Sequence, residues 1–183
     1  MHILSLDCEY NQPSQKTIQI GAAVFKTETG EMLDSMEVYV NPYESIQPFI
    51  TELTGITDED VVTGMDIKDA FNQLRDFHAK HRCFMNILCW GSGVRNDADV
   101  IYKEADPRDE EGNRLPNFMG FRVIDAKTIY QSVQIFHGGT LRGGLESACK
   151  KVGIDFVGDA HRARNDAINT YRIYHYLMKK FQK

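Results

Sequence analysis

A chain of 183 residues, 42% hydrophobic and 26% charged, is long enough for one domain with a sizeable core, and none of its apolar runs approaches the ~20 residues that cross a bilayer. A net charge of −5 argues against coating long nucleic acid through phosphate contacts alone, but not against gripping a strand end with cations offsetting the acids. Cys8, Cys83, Cys89 and Cys149 lack CxxC spacing, and acids arrive by residue 7 in place of a basic-then-apolar leader, so reduced thiols and a cytoplasmic location are expected.

Residues 3–9 open with a strand pattern in which Ile3, Leu4 and Leu6 run into Asp7 and Glu9. Side chains two apart leave a strand on one face, so the two carboxylates point the same way. Carboxylates sharing a poorly hydrated crevice repel, and a divalent cation that favours hard oxygen ligands, Mg²⁺ or Mn²⁺, relieves the repulsion. On the spacing alone, a solvated strand end with two surface acids is the plainer reading. Residues 17–26 (TIQIGAAVFK) put Ile18, Ile20, Ala22 and Val24 on one face of a second strand. A turn at Glu28-Thr29-Gly30 leads into a third over 32–40, ended by Asn41-Pro42. The short links predict an antiparallel meander.

Helical spacing follows. In 45–54, Ile46, Phe49, Ile50 and Leu53 form an apolar set, with Gly55 as a C-terminal stop. Thr57 and Asp60 have the spacing of a capping box, and Ile67, Ala70, Phe71, Leu74 and Phe77 mark the next helix. Residues 84–90 (FMNILCW) suit a buried parallel strand, broken by Gly91 and Gly93 before a short helix over 97–105. Residues 106–117 are polar, contain Pro107, Gly112 and Pro116, and lack the alternating acids of an EF-hand loop, which predicts a solvated excursion. A strand over 121–125 is followed by helices through Ile129, Val133 and Phe136 and through Leu145, Ala148, Cys149 and Val152, the latter stopped at Gly153. The last helix carries one apolar stripe from Ala167 to Phe181. This order predicts an α/β fold, a mixed sheet of about five strands flanked by helices, as a single domain over 1–183. Sites in such sheets collect beyond the strand carboxyl ends, where Asp7 and Glu9 fall.

Three places offer partners for that pair: Asp97 and Asp99 after the glycines, and His161 with Asp166 in HRARND. Five residues turn about 140° around a helix axis, so His161 is expected on the preceding loop and Asp166 in the first turn. Two cations ~3.5–4 Å apart, held by four acids, clamp the attacking and leaving oxygens of a phosphodiester displacement. A histidine titrating near neutrality takes the proton of the attacking water. Each residue has a plainer reading: Asp97, Asp99 and Asp166 as acids favoured at helix starts, His161 as a surface histidine beside Arg162 and Arg164. Those arginines suit phosphate or solvent alike. Trp90, Tyr171, Tyr174 and Tyr176 read as packing, and Asp125 as a support for the site.

Asp7-Cys8-Glu9, Leu53-Thr54-Gly55-Ile56-Thr57 and the His161-x4-Asp166 spacing occur in this order across nearly the whole chain. Together they resemble the DnaQ-like, or DEDDh, 3′→5′ exonucleases of the ribonuclease H-like fold. The resemblance implies that Asp7, Glu9 and Asp166 bind metal, that His161 is the general base, and that Glu9 belongs with it to the catalytic set. For the remaining acid, Asp97 is chosen over Asp99, because Val100 and Ile101 stand three and four places beyond it as in the family, where Asp99 has Tyr102 and Lys103. The family's first motif continues with small Thr and Gly; here Tyr10-Asn11 follows, and Tyr10 is expected to stack on a base, with Thr54 also touching substrate. The implied activity releases nucleoside 5′-monophosphates from single-stranded nucleic acid 3′ ends, RNA ahead of DNA, with two divalent cations, Mg²⁺ or Mn²⁺. A DNA proofreading subunit and a non-catalytic regulator that keeps the fold remain alternatives. No membrane partner is expected, and a homodimer is left open.

Overall fold

The computed structural model describes residues 1–91, 96–120 and 122–181. Its sheet has five strands in the order β3-β2-β1-β4-β5, where β1 is His2–Tyr10, β2 Thr17–Lys26, β3 Met32–Tyr39, β4 Leu88–Cys89 and β5 Ile124–Asp125. β1, β2 and β3 form the antiparallel meander, and β4 and β5 join parallel to β1. Among the described residues seven helices flank this sheet: α1 (Pro48–Thr54), α2 (Asp58–Val62), α3 (Ile67–Lys80), α4 (Asp97–Ala105), α5 (Ala126–Phe136), α6 (Leu145–Val152) and α7 (Ala163–Phe181). The architecture is the ribonuclease H-like mixed sheet. Among the described residues no helix is long and apolar enough to cross a membrane.

The two sides of β1 separate into two cores. Leu4, Leu6 and Cys8 pack with Ile20, Ala22, Val24 and with Phe71, Leu74 and Ile101 of α3 and α4. Ile3 packs instead with Ala23, Phe25 and Tyr171, on the α7 side, where the Phe25 and Tyr171 rings stack at 3.8 Å between centroids. Strand alternation therefore carries Asp7 and Glu9 to the α7 side and Tyr10 to the α3/α4 side. β2 is buried on both faces, not one, because α7 covers the face that Ala23 and Phe25 present.

Several bounds differ from those expected. α1 begins at Pro48, whose ring suits a first helical position, so only Ile50 and Thr54 of that helix are buried; Phe49 and Leu53 are 55% and 51% exposed. The 84–90 run yields a two-residue strand, since Phe84 and Met85 still pass the end of α3, where the Phe84 carbonyl meets His78 Nε2 at 3.3 Å. Val40 leaves β3 to pair with Met65. Of the expected strand over 121–125, Phe121 lies outside the described residues, as does Gly93. The Thr57–Asp60 capping box forms in both directions.

Candidate active site

The start of α7 is pressed onto β2 at the residues that pair with the two acids. Gly21 is opposite Asp7 in the ladder, and a Cβ there would lie 2.0 Å from the Arg164 amide nitrogen and 2.1 Å from the Ala163 carbonyl carbon. Only a glycine permits this approach. Gln19 is opposite Glu9, and its Oε1 accepts from the Ala163 amide at 2.9 Å, satisfying an N–H that the first turn of a helix leaves unpaired. These contacts carry Asp166, in the first turn, and His161, on the loop before it, to Asp7 and Glu9. His161 sits in the left-handed region (φ 59°), its amide donates to Asp166 Oδ2 at 3.2 Å, and its side chain is exposed.

One donor atom from each of Glu9, His161 and Asp166 lies within 4.8 Å of the other two. Asp166 Oδ1 is buried and accepts no hydrogen bond from the described residues. Burial pushes the Asp166 carboxyl up to about 6, against the pull of the His161 amide and ring. Glu9 is pushed up to about 8 by burial first, then by Asp166 and Asp97, with Arg162 opposing. Asp7 is raised well above the carboxylate range by burial, then by Asp97, Glu9 and Asp166. Asp97 is raised by burial and drawn down by the Tyr10 hydroxyl. Glu9 and Asp166, with Asp7 beside them in one cleft and one Asp166 oxygen without a donor among the described residues, fit the hard-oxygen donor set of a divalent cation, while Asp97 lines an adjoining pocket with Tyr10.

Asp7, Glu9, His161 and Asp166 line a cleft of about 470 Å³, closed by Trp90, Lys127 and, from α6, Glu146 and Ser147. Sequence reasoning missed Lys127 and the α6 wall, which have no spacing relation to the motif acids. It also missed Gly21 and Gln19, although a glycine and a buried amide inside an apolar strand were a legible sign that another backbone comes close.

The remaining candidates are placed as follows. Asp97 receives the Tyr10 hydroxyl on Oδ1 at 2.8 Å. Asp99 is turned to Asn96 (3.2 Å) and borders a separate groove with Lys16 and Lys103. The half-buried Tyr10 ring packs against the α3/α4 core and lines a small pocket with Gln12, Gln15 and Val100. Thr54 is buried, its hydroxyl donating to the Ile50 carbonyl at 2.8 Å and accepting from the Ile56 amide at 3.1 Å, which engages it within the α1 end instead of toward solvent. Arg162 donates to the Tyr39 hydroxyl at 3.1 Å. Asp125 caps α5 and accepts from the Gly91 amide at 3.0 Å.

The model of the RNase_T exonuclease family matches residues 4–174. The human (Homo sapiens) protein "ERI1 exoribonuclease 2" is 28% identical over 173 residues, which cover 86% of this chain and 24% of that protein. The "3′-5′ exonuclease Snipper" of Drosophila melanogaster is 27% identical over 165 residues, 83% of this chain and 57% of that one. The chain thus spans about a quarter of the first relative and little more than half of the second. In structure it is similar to the nuclease domain of 3′hExo, a DEDDh family member bound to rAMP, with a TM-score of 0.77 at 19% identity over 98% of this chain and 92% of that one.

Proposed function

Because the chain belongs to the RNase_T exonuclease family and carries a 3′→5′ exonuclease domain of the DnaQ-like, DEDDh group, we propose that it hydrolyses single-stranded nucleic acid from the 3′ end to nucleoside 5′-monophosphates. RNA is placed ahead of DNA, supported by the likeness to a protein named an exoribonuclease. The whole of 1–183 acts as one exonuclease domain. The observation that carries the reading is the orphaned Asp166 oxygen beside Glu9 and His161.

In this reading Asp7, Glu9, Asp97 and Asp166 hold two divalent cations, Mg²⁺ or Mn²⁺. Bound there, such ions supply a nucleophilic water at neutral pH and neutralise charge on the phosphate oxygens. His161 would accept a proton from the attacking water at an imidazole nitrogen, and its exposure would let the ring pass the proton on to solvent. The Asp166 carboxylate, accepting from the His161 amide, fixes the backbone from which the ring projects. Glu9, with a donor atom within 4.8 Å of His161, would help to orient the same water. Trp90 and the α6 residues narrow the cleft.

The test is a product ladder from end-labelled RNA and DNA strands of one sequence, with Mg²⁺ and Mn²⁺ compared. Mononucleotides released stepwise from the 3′ end are expected, and His161→Ala should lose ~10²- to 10⁴-fold in rate. Wild-type rates in His161→Ala, or no mononucleotide from any strand, would overturn the proposal. A marked preference for mismatched DNA primer ends would replace it with proofreading.

A further inference from the structure

Asp97 differs from the other acids in how it is held. It begins α4, which packs on the sheet face opposite α7, and its helix is tied to the meander at both ends by side chains. At the first turn the Tyr10 hydroxyl donates to Asp97 Oδ1 at 2.8 Å. At the last turn Glu104 accepts from the Thr17 amide at 3.2 Å and from the Thr17 hydroxyl at 2.6 Å. Both anchors stand where the β1–β2 ladder slips: Glu9 pairs with Gln19, but Tyr10 pairs with Thr17, and Ile18 is the extra residue. Such an irregularity bends the strands and re-aims the side chains beside it.

We propose that Tyr10 is a positioning residue for the cation site: its hydroxyl fixes the rotation of the Asp97 carboxylate and so sets the affinity of the ion that Asp97 holds. The inference rests on the reading of Asp97 as a metal ligand. A phenolic O–H to a carboxylate is a strong, short bond, and it occupies one oxygen while leaving the other to bind. The ring is half-buried and packed against the core cluster on the α3/α4 side, which restrains its movement with the carboxylate. Groups that orient a ligand in this way are typically worth ~10- to 100-fold in metal affinity.

Tyr10→Phe keeps the packed ring and removes the hydroxyl, with its bond to Asp97 and its contact to the Cys8 thiol. Titration calorimetry with Mn²⁺ should show one site weakened ~10-fold or more with stoichiometry unchanged. The Mg²⁺ concentration that gives half-maximal activity should rise in step, while KM for the oligonucleotide at saturating metal stays within about twofold. Asp97→Asn is measured alongside. Weakened Mn²⁺ binding in Asp97→Asn with wild-type binding in Tyr10→Phe would overturn this inference alone. Wild-type Mn²⁺ binding in both would overturn the assignment of Asp97 as well. A raised KM with unchanged metal affinity in Tyr10→Phe would make Tyr10 a substrate contact and also overturn it.

Discussion

Helix α7 meets the sheet backbone to backbone at Gly21, whereas α4 is tied to it through side chains at Tyr10 and Thr17. The first contact is steric. It has no room to adjust, and it sets His161 and Asp166 against Glu9 with a fixed spacing. The second is polar and sits at a ladder irregularity, so Asp97 depends on donors that can be removed one at a time. Well-packed backbone transmits a displacement whole, while a hydrogen bond can fail without moving its neighbours.

The sharpest way to break that contrast is at Gly21. Gly21→Ala forces the α7 start off β2 and should cost about 3 kcal/mol or more, the upper end of overpacking penalties. Urea denaturation would report it, together with loss of Mn²⁺ binding. If the variant keeps wild-type stability, α7 is not held sterically. Glu104→Ala is the matching change on the other side. It leaves the buried Thr17 amide and hydroxyl without their acceptor and should cost ~1.5–3 kcal/mol. Hydrogen exchange should then quicken in α4 and not in α7; equal quickening in both would erase the distinction between them.

A third effect concerns pH. Carboxyls raised above their ordinary value near 4 bind more protons folded than unfolded, so stability falls as pH rises. For the metal-free protein the loss runs from pH ~4 up through about 6 at Asp166 and about 8 at Glu9. The melting temperature in chelator should therefore drop between pH 5.5 and 8.5 by up to about ten degrees, on the order of 3 kcal/mol. Millimolar Mn²⁺ should flatten the drop, since ions compete with those protons. An unchanged melting temperature across this window in chelator would show that burial and mutual repulsion do not raise these carboxyls.

Much of this arrangement was legible because it is local. Asp7 and Glu9 share a face by strand period, and the loop position of His161 with Asp166 in a first turn follows from helix pitch. The Thr57–Asp60 cap and the span of α4 are equally matters of short spacing. What escaped depends on register between distant segments. Nothing in TIQIGAAVFK says that Gly21 faces the peptide of residue 163, or that Gln19 caps that helix. The partner of Tyr10 lies 87 residues away and is set by a slipped ladder. The exposure of Phe49 and Leu53 was missed because a set of apolar residues was read as one helix face, while the helix starts only at Pro48.

The collision waiting at position 21 is with peptide atoms of Ala163 and Arg164, which every amino acid possesses. No replacement at 163 or 164 can therefore act as a suppressor of a larger residue at 21. A genetic selection begun from such a mutant should return true revertants, or compensations that slide the whole terminal helix, and nothing in between.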